Sequence, residues 1–126
     1  MLSGIEMFGQ IPVNQAKREA RKNTTVNEWY TDAVTKTRWL FQTTVYDDKG
    51  REIQKAEYSR YGLKWKETYF YGENDRIEKE IHYNSNSKVE SVHKFEYDSN
   101  GRKIRQLKYG PDGKLIATKV FEYIVK

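Results

Sequence analysis

The chain has 126 residues, with 23 Lys plus Arg against 18 Asp plus Glu, no Cys, and 14% aromatics within a hydrophobic fraction of 37%. That is one domain's worth of protein; it excludes disulfide frameworks, thiol catalysis and Cys-ligated metals, and no stretch approaches the ~18 apolar residues of a membrane helix or resembles a leader peptide. Mean hydropathy is −0.98, so the core is expected to be thin and built from 10 Tyr, 5 Phe and 3 Trp, a composition that favours strands.

Residues 1–23 read as an arm. Leu2, Ile5, Met7, Phe8, Ile11 and Val13 are apolar enough to dock on a sheet or a partner, and Asn14 is placed to cap a short basic helix running to Asn23. The cluster Lys17-Arg18-Glu19-Ala20-Arg21-Lys22 is expected to be a solvated face, or else a contact for an acidic partner or an anionic membrane. Residues 24–126 read as a β-repeat domain. It opens with strands over Thr24 to Tyr30 and Lys36 to Val45, the second with Trp39, Phe41, Thr43 and Val45 on one face.

From Tyr46 onward a repeat takes over. Tyr recurs at Tyr58, Tyr71, Tyr83, Tyr97, Tyr109 and Tyr123, with alternate tyrosines 25 or 26 residues apart. Such a period belongs to a two-strand unit. Turn residues follow each ring: Asp47-Asp48-Lys49-Gly50, Ser59-Arg60-Tyr61-Gly62, Asp98-Ser99-Asn100-Gly101 and Gly110-Pro111-Asp112-Gly113. Their spacing predicts type I turns closed by a residue with positive φ. In the two remaining units Asp75 and Ser87 stand where Gly would be. Alternating strands between four-residue turns make an antiparallel meander. Tyr46, Tyr71, Tyr97 and Tyr123 then line one end of it, and Tyr58, Tyr83 and Tyr109 the other.

Tyr46-Asp47-Asp48-Lys49-Gly50-Arg51 and Tyr97-Asp98-Ser99-Asn100-Gly101-Arg102, followed by Ile53 and Ile104, resemble the Tyr-Asp-x-x-Gly-Arg core of the YD repeats of RHS-type proteins and teneurins. The resemblance covers roughly residues 39–126. Short YD-containing proteins of bacterial envelopes are the nearer analogy, because three repeat pairs cannot form a shell. It implies an extracytoplasmic β-module, at the periplasm or cell surface, and transfers no catalytic residue.

The inventory of reactive groups points away from catalysis. Alternation puts His82 with the charged residues of its strand and His93 with Val89 and Phe95. The two rings are therefore expected on opposite faces, with no shared metal site and no cofactor. Asp47, Asp48, Asp98 and Asp112 belong to turns, and Glu57, Glu96 and Glu122, each preceding a repeat Tyr, are expected to pair with cations across strands. Trp65, Tyr69 and Tyr71 share a strand face, with Lys64 and Lys66 on the other. Because acidic residues are interspersed among the basic ones, nucleic acid is a disfavoured partner.

The expected fold is all-β: an antiparallel meander of about eight strands in a twisted single sheet able to curl on itself, with an N-terminal arm or short helix. The expected function is a non-catalytic binding or scaffold module in an envelope protein complex. It would dock through an aromatic face or an edge strand, with Trp65, Tyr69, Tyr71, Trp29 and Trp39 as binding residues. The alternatives are a glycan-binding module, a single-stranded nucleic-acid binder, or a cytoplasmic immunity protein or antitoxin.

Overall fold

The computed structural model describes residues 13–126. The apolar positions Leu2, Ile5, Met7, Phe8 and Ile11 lie outside the described residues. Helix α1 (Val13–Arg21) precedes eight strands: β1 (Thr25–Thr31), β2 (Arg38–Tyr46), β3 (Glu52–Ser59), β4 (Gly62–Tyr71), β5 (Ile77–Tyr83), β6 (Val89–Tyr97), β7 (Lys103–Tyr109) and β8 (Leu115–Val120). The strands pair in sequence order, every pair antiparallel, in one open sheet whose edges are β1 and β8. No described helix is long and apolar enough to cross a membrane.

The turns close as their residues require. Asp47 N–H donates to Arg51 O and Gly50 N–H to Asp47 O; Asp98 with Arg102 and Gly101, and Asn84 with Lys88 and Ser87, repeat the pattern. The fourth turn residue is left-handed in five of the six turns: φ is 75° at Gly50, 85° at Gly101, 81° at Gly113, 59° at Asp75 and 61° at Ser87. The sixth differs, with Gly62 at φ 136° and paired directly with Ser59. Asp75 and Ser87 therefore do occupy the backbone region that Gly50, Gly101 and Gly113 hold.

Between the turns a second irregularity recurs. In each pairing from β2–β3 to β7–β8, register shifts between the residue before a repeat Tyr and the Tyr itself. The extra residue lies on the partner strand, at Ile53, Lys64, Glu78, Glu90, Ile104 and Ile116 in turn. Such bulges bend a strand and increase its twist. On the tyrosine's own strand alternation continues, so Tyr46, Tyr71 and Tyr97 lie on one face and Tyr58, Tyr83 and Tyr109 on the other.

Among the described residues no second layer covers the sheet. Among the described non-glycine residues only Ala56, Thr44 and Ser91 are buried, all of them small and flanked by longer cross-strand neighbours. The rings are covered by cations instead. Arg51 lies 4.7 Å over Tyr71, Lys79 4.5 Å over Phe70 and Lys103 4.3 Å over Phe95. Aliphatic stems and cation–π contacts here do what a packed layer does in most domains.

Helix α1 begins at Val13, so Asn14 sits within its first turn rather than ahead of it. Its arginines are engaged inside the molecule. Arg18 pairs with Asp75 at 3.1 Å, and Arg21 lies 5.1 Å over the Tyr46 ring. Gly50 is packed so closely against the helix that a Cβ there would collide with the Arg18 carbonyl. These two arginines thus fasten the helix to the β2–β3 end of the sheet, and the solvated basic face expected from the sequence is reduced by them.

Candidate functional site

Register defines the two faces. Thr44 faces Lys55, Lys55 faces Glu67, Glu67 faces His82, and His82 faces Ser91. Glu80 lies opposite Tyr69 on β4 and opposite His93 on β6, and His93 lies opposite Lys108 on β7. All of these side chains therefore project from one face. His82 and His93 are brought together, with ring centroids 4.8 Å apart in an edge-on arrangement, which corrects the expectation that they face opposite sides. Alternation sorts residues within a strand, but only register says which set of one strand shares a face with which set of the next. On this face β5 contributes its charged residues and β6 its aromatic ones.

The cluster is bonded from one side. Tyr69 OH donates to Glu67 Oε1 at 2.6 Å, and His82 Nδ1 lies 2.7 Å from Glu67 Oε2. His82 Nε2 is buried and makes no hydrogen bond among the described residues. Glu80 Oε1 is 3.5 Å from that nitrogen and 3.8 Å from His93 Nδ1. Burial, with the Glu67 carboxylate next in weight, holds the Tyr69 phenol far above its usual value. Burial and then His82 push the His93 imidazole below its ordinary value, against the pull of Glu80.

The aromatic candidates divide among several places. Trp65 and Tyr69 are half-buried on the histidine face. Tyr71 is on the same face but at the sheet's end, where its hydroxyl donates to Glu52 O at 2.6 Å beneath Arg51. Trp29, 53% exposed, lies under Arg38 at 4.3 Å and opposite Leu40, which puts it on the histidine face near the β1 edge. Trp39 is opposite Tyr30, with ring centroids 4.6 Å apart, and belongs to the other face. The five rings do not form one surface. Glu57 and Glu96 do pair with cations on neighbouring strands, Lys64 at 2.7 Å and Arg105 at 3.5 Å.

The β8 edge was singled out by no motif. All six of its residues are exposed, with Leu115 at 55%, Ile116 at 60% and Val120 at 67%. Phe121 N–H donates inward to Ile104 O, so by the alternation of an antiparallel ladder the N–H groups of Thr118 and Val120 point outward, away from β7. Tyr123, whose hydroxyl donates to Lys103 O beneath Arg102, stands to β8 as Tyr97 stands to β6 and Tyr71 to β4. The difference is that β4 and β6 each have a further strand beside them.

No curated protein matches the chain. A family model described as "Uncharacterised protein" matches residues 20–123, from the last turn of α1 through all eight strands to the final ladder tyrosine, and the chain belongs to that family.

Proposed function

We propose that the protein is a non-catalytic binding module that recruits an extended segment of a protein partner by strand addition at β8. The observation that carries this reading is the equivalence of β8 to β4 and β6, with the same tyrosine clamp and the same bulge before it, except that among the described residues the outward row of backbone groups on β8 has no strand beside it. An exposed edge with apolar side chains is a template for a further strand. The wider setting, a bacterial envelope complex, rests on the likeness of the Asp47 and Asp98 turns to YD units. Those two turns also share their bonding, with Arg51 and Arg102 each returning to the turn aspartate.

The test compares partner recovery by the wild type and by Thr118→Pro from cells that make the protein natively. Proline at an outward-facing position removes a donor without removing a bond to β7. Partners that bind by strand addition are recovered with the wild type and lost with Thr118→Pro, and they slow amide exchange at Thr118 and Val120. If circular dichroism shows both proteins folded and recovery is equal, docking does not use this edge. Loss of recovery in Tyr69→Ala but not in Thr118→Pro would move the contact to the aromatic face.

A further inference from the structure

We propose that Glu80, His82 and His93 form a site for a borderline divalent cation, with zinc as the ion that fits best. The sheet itself assembles the donors. Glu80 and His82 are two residues apart on β5 and so share a face, and His93 is the cross-strand partner of Glu80 on β6. One ligand atom from each lies within 4.8 Å of the others, and the two measured edges are 3.5 and 3.8 Å. Donors 2.0–2.1 Å from a tetrahedral zinc are about 3.3 Å from one another. Closing the triangle therefore takes only small side-chain rotations.

A second feature distinguishes this cluster from a chance meeting of polar groups. His82 uses Nδ1 on Glu67 Oε2, and Glu67 is itself held by the Tyr69 hydroxyl. This is the carboxylate–imidazole arrangement that fixes the tautomer and orientation of a ligating histidine. It turns the other nitrogen, Nε2, toward Glu80, where it is buried and, among the described residues, without a hydrogen bond. A buried polar atom left unpartnered is costly, and a cation would complete it. Two imidazoles and one carboxylate suit zinc rather than calcium or magnesium, which take all-oxygen sets.

Charge is also in favour of a cation. Glu67 and Glu80 are both at the cluster, and Lys108, opposite His93 on β7, is the cation facing it from that side. With three protein ligands and no second layer over the sheet among the described residues, the fourth position of a tetrahedral ion faces outward. Water or a donor from a docked molecule would take it. The ion would tie β5 to β6 in the middle of the meander.

The test uses the 126-residue chain without a tag, in which the only histidines are His82 and His93. Zinc sulfate is titrated calorimetrically, and cobalt(II) is added separately to read its visible d–d bands. One zinc per chain, a rise in melting temperature, and low-symmetry cobalt bands are expected. His82→Gln, His93→Gln and Glu80→Gln should each weaken zinc at least tenfold, Glu28→Gln on the same face should leave it unchanged, and Lys108→Met should tighten it. Nitrogen-15 shifts of the His82 and His93 rings in the wild type give an answer independent of whether the variants fold. Absence of zinc binding, ring shifts that do not move, or binding that survives both histidine substitutions overturns the proposal.

Discussion

The two ends of the sheet carry the same tyrosine repeat and hold it differently. At the end formed by the β2–β3, β4–β5 and β6–β7 turns, three of the four rings are clamped twice. Tyr71, Tyr97 and Tyr123 donate to the carbonyls of Glu52, Ile77 and Lys103, all at 2.6 Å, and Arg51, Arg76 and Arg102, the residues just before those carbonyls, lie over the rings. Tyr46 takes Arg21 from α1 in the same role, so the helix acts as the cap of the repeat at this end. At the other end Lys66 and Lys94 cover Tyr83 and Tyr109, and among the described residues the hydroxyls of Tyr58, Tyr83 and Tyr109 have no comparable bond. In a sheet with no second layer among the described residues, one repeated residue therefore serves as a polar anchor at one end and as a covered apolar plate at the other.

Acid should separate the clamped end most strongly from the amide-capped Asn84 turn at the other end, where the β1–β2 turn has its own depressed carboxyl, Asp32, held down by the Thr35 and Val34 N–H groups. The clamped end depends on carboxylates. Arg102 N–H, more than any other contact, holds Asp98 below its usual value; the Arg18 side chain does so for Asp75; and at Asp47 burial pushes up, but the N–H groups of Arg51 and Lys49 outweigh it. A carboxyl depressed in the fold gives stability that is full above its unfolded value, near 3.9, and is lost as pH falls through the folded value. Urea midpoints should thus fall modestly as pH drops below about 6.5, where the unfolded chain protonates His93 more readily than the fold does, and fall further from about pH 4 downward as these carboxyls are protonated. Amide protection at pH 3 should drop first in the Asp47 and Asp98 turns, while the turn at Asn84, capped by an amide oxygen, keeps its protection. Uniform loss at both ends would mean that the clamp does not control acid sensitivity.

A smaller and more local effect comes from the hydroxyls themselves. Tyr97→Phe removes a short bond and strands the Ile77 carbonyl, at a cost of about 1 kcal/mol; Tyr83→Phe should stay within about 0.5 kcal/mol of the wild type. Urea unfolding of the two variants in parallel decides it, and equal costs would dissolve the distinction between the rows.

The meander, its turns and the two rows were legible because they repeat: Tyr every 25 or 26 residues, Asp and Gly at fixed offsets, and alternation between them. Even the substitutes Asp75 and Ser87 declared themselves by position. What was not legible required register. The His82–His93 contact depends on bulges such as the extra Glu90 opposite Tyr83, which no periodicity reveals, and on a face that is charged on one strand and aromatic on the next. The docking of Arg18 on Asp75, separated by 57 residues, is a long-range pair with no local signal. The open β8 edge was equally hidden, since its sequence differs little from that of paired strands.

The smallest effect tests why two turns dispense with glycine. Ser87 holds φ 61° at the unclamped end, where a side chain in the left-handed region costs roughly 1–2 kcal/mol. Glycine would relieve that cost but add freedom to the unfolded chain, worth roughly 0.5–1 kcal/mol. Ser87→Gly should therefore raise stability by about 0.5 kcal/mol. Asp75 has nearly the same φ, 59°, but its carboxylate bonds Arg18 at 3.1 Å and Arg51 at 3.0 Å. Asp75→Gly removes the tie between α1 and the β2–β3 turn, so it should lower the urea midpoint where Ser87→Gly raises it. Opposite signs at two positions with one backbone conformation would show that the left-handed strain at Asp75 is retained for the ion pairs of the clamped end. A gain at both would show that those pairs contribute less than the strain they require.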